Sequence, residues 1–138
     1  MPILWGEGMD KKVKTQKTTE RQFQVFKDEA ERWADLYGLA DWNIEYRKSK
    51  LDKEETLADT SWTRGSLVAY IRLVDEADEN YIMDTFTLKQ AGRHEIDHVL
   101  LGEVNDLLEE YVSADVAEKL IHRIIYRLEA ARKKLGID

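Results

Sequence analysis

His94 and His98 stand four residues apart, and Glu95 directly follows the first. On a helix, residues four apart lie one above the other on one face, so two imidazoles spaced this way can hold one metal ion. Glu95 is turned about 100° round the same helix. It stands off the line of the two ligands, within reach of a water on the metal. The arrangement His-Glu-x-x-His needs these residue types. Imidazole nitrogen is a good zinc ligand, one position stays open for water, and a carboxylate takes the proton.

The motif requires a helix beneath it. Leu88, Ile96, Leu100, Val104, Leu107 and Leu108 recur at helical spacing around it, which predicts a helix from between Asp84 and Leu88 to about Leu108. Asp84 or Thr85 can cap it. Asp97 projects among the apolar positions of that helix, and a buried carboxylate needs a partner. Pairing with an Arg or Lys of the first or last helix is the preferred reading, and support of a ligand imidazole the alternative.

A catalytic zinc normally takes three protein ligands. The metzincin completion would put glycine and histidine where the chain has Leu101 and Val104, with Gly102 one place off, so that completion is excluded. The last helix offers Glu118, twenty residues after His98, at the edge of a buried stripe. An acidic group in a helix's first turn is also electrostatically favoured. Glu118 is therefore the preferred third ligand. His122, one turn on, is the alternative, as a ligand or as a donor to a developing oxyanion. Glu109, Glu110 and Asp115 are weaker ligand candidates. Arg93 and Tyr111 could polarise a substrate carbonyl, although nothing in their spacing singles them out.

The remaining elements follow from periodicity. Thr19 with Gln22 three on reads as a capping box opening a helix from about Thr18 to Tyr37. Phe23, Phe26, Ala30, Trp33 and Tyr37 form its single apolar stripe, and Gly38 ends it. Alternation then predicts strands around Trp42–Tyr46, Leu57–Thr63 and Leu67–Leu73. The short link between the second and third favours antiparallel pairing. Residues 75–80 read as an acidic loop. The final helix, capped by Ser113 or Asp115, runs to about Leu135 with Leu120, Ile121, Ile124, Ile125, Leu128 and Ala131 buried, and Gly136 closes it. Residues 1–17, with Lys11, Lys12, Lys14 and Lys17, read as a flexible arm ahead of one domain at 18–138.

Composition bounds the function classes. The chain has 138 residues, 43% apolar and 36% charged, with a net charge of −7 and no cysteine. A chain of this length can bury roughly two-thirds of its unfolded surface. The acidic balance gives no overall drive toward nucleic acid or an anionic membrane. The lack of cysteine excludes disulfides, thiolate metal sites and a cysteine nucleophile. No apolar run is long enough to span a membrane. Met1-Pro2-Ile3-Leu4-Trp5-Gly6 is too short and too quickly polar for a signal peptide, so a cytoplasmic location is expected.

With these residues in hand, the chain resembles the compact zincin-type metallopeptidases common in phages and prophages. The parallels are Trp42-Asn43-Ile44, then Leu67 to Leu73, Arg93 to Gly102, and Glu118 to Leu128, over roughly residues 20–130. The resemblance implies a minimal zincin-like α+β fold: one N-terminal helix, a small and mainly antiparallel sheet of about three strands, the motif helix and a C-terminal helix. It also implies zinc as cofactor and a peptide or protein substrate laid along a sheet edge. Glu118 is similar to the third ligand of gluzincins, but Ala117 before it and Ile121 after it depart from the asparagine and aspartate usual there. The expected function is a zinc-dependent peptidase with Glu95 as general base. The alternative is a non-catalytic, metal-containing accessory module.

Overall fold

Thr19 and Gln22 exchange hydrogen bonds, the Gln22 amide to the Thr19 hydroxyl at 3.1 Å and the Thr19 amide to the Gln22 side chain at 2.9 Å. This capping box starts α1, Glu20–Leu36. The computed structural model describes residues 14–53 and 56–137. Phe26, Ala30 and Trp33 are buried along α1, with Phe23 and Tyr37 partly buried beside them. Gly38, at φ +71°, adopts the left-handed conformation that ends the helix.

Three strands follow, β2 (Asn43–Ser49), β3 (Ala58–Thr63) and β4 (Val68–Val74), in the spatial order β2-β4-β3. β3 and β4 are antiparallel, as their short connection predicts. β2 and β4, however, run parallel, with Asn43 opposite Val68 and Ser49 opposite Val74. The α+β class holds, but the sheet is mixed rather than mainly antiparallel. The reason lies in composition. β4 is the most apolar strand and buries Ala69, Ile71, Leu73 and Val74, so it takes the centre. β3, Ala-Asp-Thr-Ser-Trp-Thr, is polar enough for an edge.

A second, two-stranded sheet joins β1 (Thr15–Lys17) to β5 (Glu76–Asp78), antiparallel. Two expectations are corrected here. The end of the supposed arm is ordered into a strand, and the acidic loop at 75–80 contains its partner. The Thr18 hydroxyl donates to the Val74 carbonyl at 2.7 Å, and Gln16 Nε2 to the Tyr81 carbonyl at 2.7 Å. Main-chain pairing of this kind leaves no apolar alternation in the sequence. Residues 1–13 of the arm lie outside the described residues.

Asp84 accepts a hydrogen bond from the Thr87 amide at 2.8 Å and caps the motif helix α2, Thr85–Leu100. The helix does not continue to Leu108. It breaks at Leu101 (φ −96°, ψ 5°) and restarts as α3, Gly102–Glu109. At the break the rings of Trp62 and Trp42 lie against Gly102, where a β-carbon would sit 3.4 and 3.5 Å from them. Val104 and Leu107 consequently emerge into solvent rather than extending the buried stripe. Farther back, α1 and α2 approach so closely at Gly92 that a β-carbon there would stand 2.7 Å from the Phe26 carbonyl oxygen.

The last helix, α4 (Ala114–Leu135), is capped by Ser113 and closed by Gly136 at φ +67°. Ala117, Ile121 and Ile125 are buried, but Ala131 is exposed and Arg132 takes the inward position instead. Arg132 meets Asp97, which is fully buried: Nη2 donates to Oδ2 at 2.7 Å and Nη1 to Oδ1 at 3.1 Å. Tyr37 Oη donates to Asp97 Oδ1 at 2.6 Å. The preferred reading of Asp97, a structural pairing with the last helix, is the one the structure shows. Removing one partner of such a pair strands the other charge in the interior. Asp97→Ala should therefore cost about 3–5 kcal/mol of unfolding free energy in metal-free protein, read by urea denaturation. A loss below about 1 kcal/mol would mean that the cluster does not anchor the helices.

Candidate metal centre

α2 and α4 cross so that His122 faces the two histidines of the motif. Nitrogen atoms of His94, His98 and His122 all lie within 4.8 Å of one another. Ring centroids are 5.1 Å apart for His94 and His98, 4.8 Å for His98 and His122, and 6.1 Å for His94 and His122. Among the described residues this is the one set of three His, Cys, Asp or Glu side chains grouped tightly enough for a metal ion.

Two of the rings are oriented by hydrogen bonds from behind. His94 Nδ1 lies 2.6 Å from Glu129 Oε1, and His122 Nδ1 lies 3.0 Å from the main-chain carbonyl oxygen of Glu118. An ionised carboxylate and a carbonyl only accept, so Nδ1 carries the proton in both rings. Nε2 is then the free donor. Carboxylate and carbonyl partners of this kind fix the tautomer and orientation of metal-ligating imidazoles. His98 is pushed down to about 3, first by burial and then by the neighbouring imidazoles. Without metal it is neutral at physiological pH, with no proton to displace. The donor set therefore fits a divalent cation such as zinc. Three neutral ligands would also leave the ion its full charge, which favours acidification of water.

Glu95 lies next to this set without belonging to it. It is buried, and Thr60 of β3 donates to its Oε1 at 2.8 Å. Burial pushes its carboxyl up to about 7, against the opposing influence of His94 and the Thr60 hydrogen bond. His94, Glu95 and Glu129 line one cavity of about 270 Å³, walled by Leu57, Ala58, Thr87, Gln90 and Ala91.

The other candidates fall elsewhere. The Glu118 side chain is exposed and is not among the grouped donors. It contributes its main-chain carbonyl, not its carboxylate. Its angle on α4 suits a ligand, but it sits one turn early, about 6 Å along the axis, and His122 is the residue at the right height. Glu110 pairs with Arg64 at 2.9 Å, Glu109 accepts from Asn105 at 3.3 Å, and Asp115 pairs with Lys119 at 3.0 Å. Arg93 is buried 3.5 Å from Glu29, in the interface with α1, and Tyr111 is exposed. Glu129 went unnoticed in the sequence. Its signal is the seven-residue spacing from His122, two turns on the same face of one helix. Thr60 has no such signal, since only the sheet order brings it to Glu95.

No family model, curated protein or solved structure matches the chain.

The geometry separates the ligand candidates experimentally. His122→Ala should abolish stoichiometric metal binding, and Glu118→Gln should leave it intact. Glu129→Gln should weaken affinity by about 10–100-fold, with all three read by elemental analysis and chelator competition. Retention of metal by His122→Ala together with its loss in Glu118→Gln would restore the carboxylate as the ligand.

The buried Glu95 carboxyl also makes stability depend on pH in metal-free protein. Its folded value, about 7, exceeds its unfolded value of 4.5, so the folded state holds the extra proton between those limits. Its contribution is fully present below pH 4.5 and is lost as pH rises to about 7. Glu95→Gln removes this loss and should gain stability over the wild type across that window, reaching roughly 3 kcal/mol above it. Thermal melts at several pH values check the trend. An advantage that shrinks with rising pH would contradict it.

Proposed function

We propose that the chain is a metal-dependent hydrolase, with zinc as its metal and peptides as its substrates. The observation that carries the reading is the gathering of exactly three imidazole donors from two helices beside a buried carboxylate, in a cavity that the carboxylate and one ligand share. Structural zinc sites are closed by four ligands, whereas catalytic sites keep three and leave a position open. The grouped set has three among the described residues, which favours a hydrolase over a structural module.

Zinc, when bound, supplies Lewis acidity, lowering the pKa of water and polarising a carbonyl. His94, His98 and His122 would hold it. Glu129 and the Glu118 carbonyl keep two of those rings in the tautomer that presents Nε2. Glu95 takes the proton of the attacking water on a carboxylate oxygen and returns it to the leaving amine. Burial raises the Glu95 carboxyl in metal-free protein, and a bound cation would draw it back toward the ionised form that a base requires. Thr60 holds Glu95 Oε1, which directs the second oxygen. β3 is one of the two edge strands of its sheet, and Leu57 and Ala58 at its start wall the cavity. An extended peptide can align with such an edge, which supports peptides as the substrate class. The resemblance to compact zincins of phage type belongs to the same proposal.

The test is zinc content together with cleavage of a peptide library. Protein purified without chelator should carry one zinc per chain and cleave peptides. Glu95→Gln should keep the metal and lose about 10²–10⁴-fold in kcat. Absence of metal, or a Glu95→Gln variant as active as the wild type, would overturn the reading.

A further inference from the structure

The cavity at His94 adjoins a second cleft, of about 390 Å³, across a shared lip formed by Gln90 and Glu129. Its walls include Phe86 from the first turn of α2 and Tyr126 from α4, the residue one turn after His122. Both rings are large, apolar and exposed, Phe86 by 59% and Tyr126 by 60%. The Tyr126 ring centroid is 6.2 Å from that of His122. The remaining wall holds Arg93, Arg132, Lys133, Ala130 and Glu129, with Arg93 against Glu29 and Arg132 against Asp97.

We propose that this cleft is the subsite for an aromatic side chain of the peptide substrate, next to or one residue removed from the bond to be cut. The proposal rests on the metallopeptidase reading and names its specificity. Isolated aromatic residues at a surface need no explanation, but two that line the same cleft beside a metal site do. Planar side chains gain from offset or edge contacts with such rings as well as from the area they bury. A Lys or Arg side chain could also lie over the rings, but Lys133 in the wall opposes it and the carboxylates at hand are already engaged, Asp97 by Arg132, Glu29 by Arg93 and Glu129 by His94. The position follows from the lip. Glu129 is hydrogen-bonded to ligand His94, so the cleft begins one side chain from the metal, and an extended peptide advances about 3.3 Å per residue.

Calorimetry with hydroxamates on zinc-loaded protein tests this without requiring turnover. Phenylalanine, alanine and lysine hydroxamates share the metal-binding group and differ only in side chain, while acetohydroxamate reports on the metal alone. The phenylalanine compound should bind at least tenfold more tightly than the alanine compound, and the lysine compound no better than alanine. Phe86→Ala, and separately Tyr126→Leu, should reduce the phenylalanine preference to threefold or less with acetohydroxamate affinity unchanged. Binding of all the hydroxamates with equal affinity, or a preference that survives both substitutions, would overturn the aromatic subsite and leave the metal site standing. If acetohydroxamate and the others all fail to bind, the metal reading falls and this one with it.

Discussion

A carboxylate with no exposure to solvent cannot remain in a protein interior unless charges and donors surround it. Asp97 meets that condition through Arg132 and Tyr37, and in doing so it joins three helices that the chain presents far apart. It belongs to the same turns of α2 as His94 and His98. Arg132 belongs to α4, on which His122 lies almost three turns earlier. Fixing the guanidinium on Asp97 sets the height and rotation of α4 against α2, and so decides which residue of α4 meets the two histidines. The Arg132 guanidinium also lies 5.1 Å over the ring of Trp33, which carries the same constraint into α1. Desolvating such a group offsets much of the attraction it gains. Its value to the fold is therefore register more than net stability.

The site repeats this logic at smaller scale. Three of the clustered side chains are held from behind: Glu95 by Thr60 of β3, His94 by Glu129 of α4, and His122 by the carbonyl one turn before it. None of these holding groups is grouped with the metal donors. They determine which nitrogen is free and which carboxylate oxygen is engaged. The same burial that lifts Glu95 lowers His98, because a low-dielectric pocket disfavours charge of either sign.

Much of this was legible from residue order. Local signals stood out: the capping box at Thr19, the α1 stripe, Asp84 and Ser113 as caps, Gly38 and Gly136 as stops, and the helix that carries His94, Glu95 and His98. Each depends on residues within a turn or two of one another. The failures were non-local or main-chain in origin. The β1–β5 pairing uses backbone groups that leave no side-chain pattern. The parallel pairing of β2 with β4 follows from a competition between strands for the centre, which strand-by-strand reading does not weigh. The choice of Glu118 over His122 correctly used angle around the helix and left out distance along it. Angle repeats every two turns, as Glu129 shows, whereas height depends on where two helices cross.

The edge strand β3 links these observations. It lies beside α2, with Thr60 on Glu95 and Trp62 on both Gly102 and Asp106. Those contacts straddle the break between α2 and α3. A continuous helix through Leu108 would carry Gly102 away from the Trp42 and Trp62 rings and extend an apolar face with nothing to cover it. Breaking the helix at Leu101 keeps the rings seated and turns α3 toward the connector from which α4 returns. The strand that holds the buried Glu95 thus also sits against the turn after which the chain returns to bring His122 beside His94 and His98, so the carboxylate and the three-histidine cluster depend on the same strip of sheet.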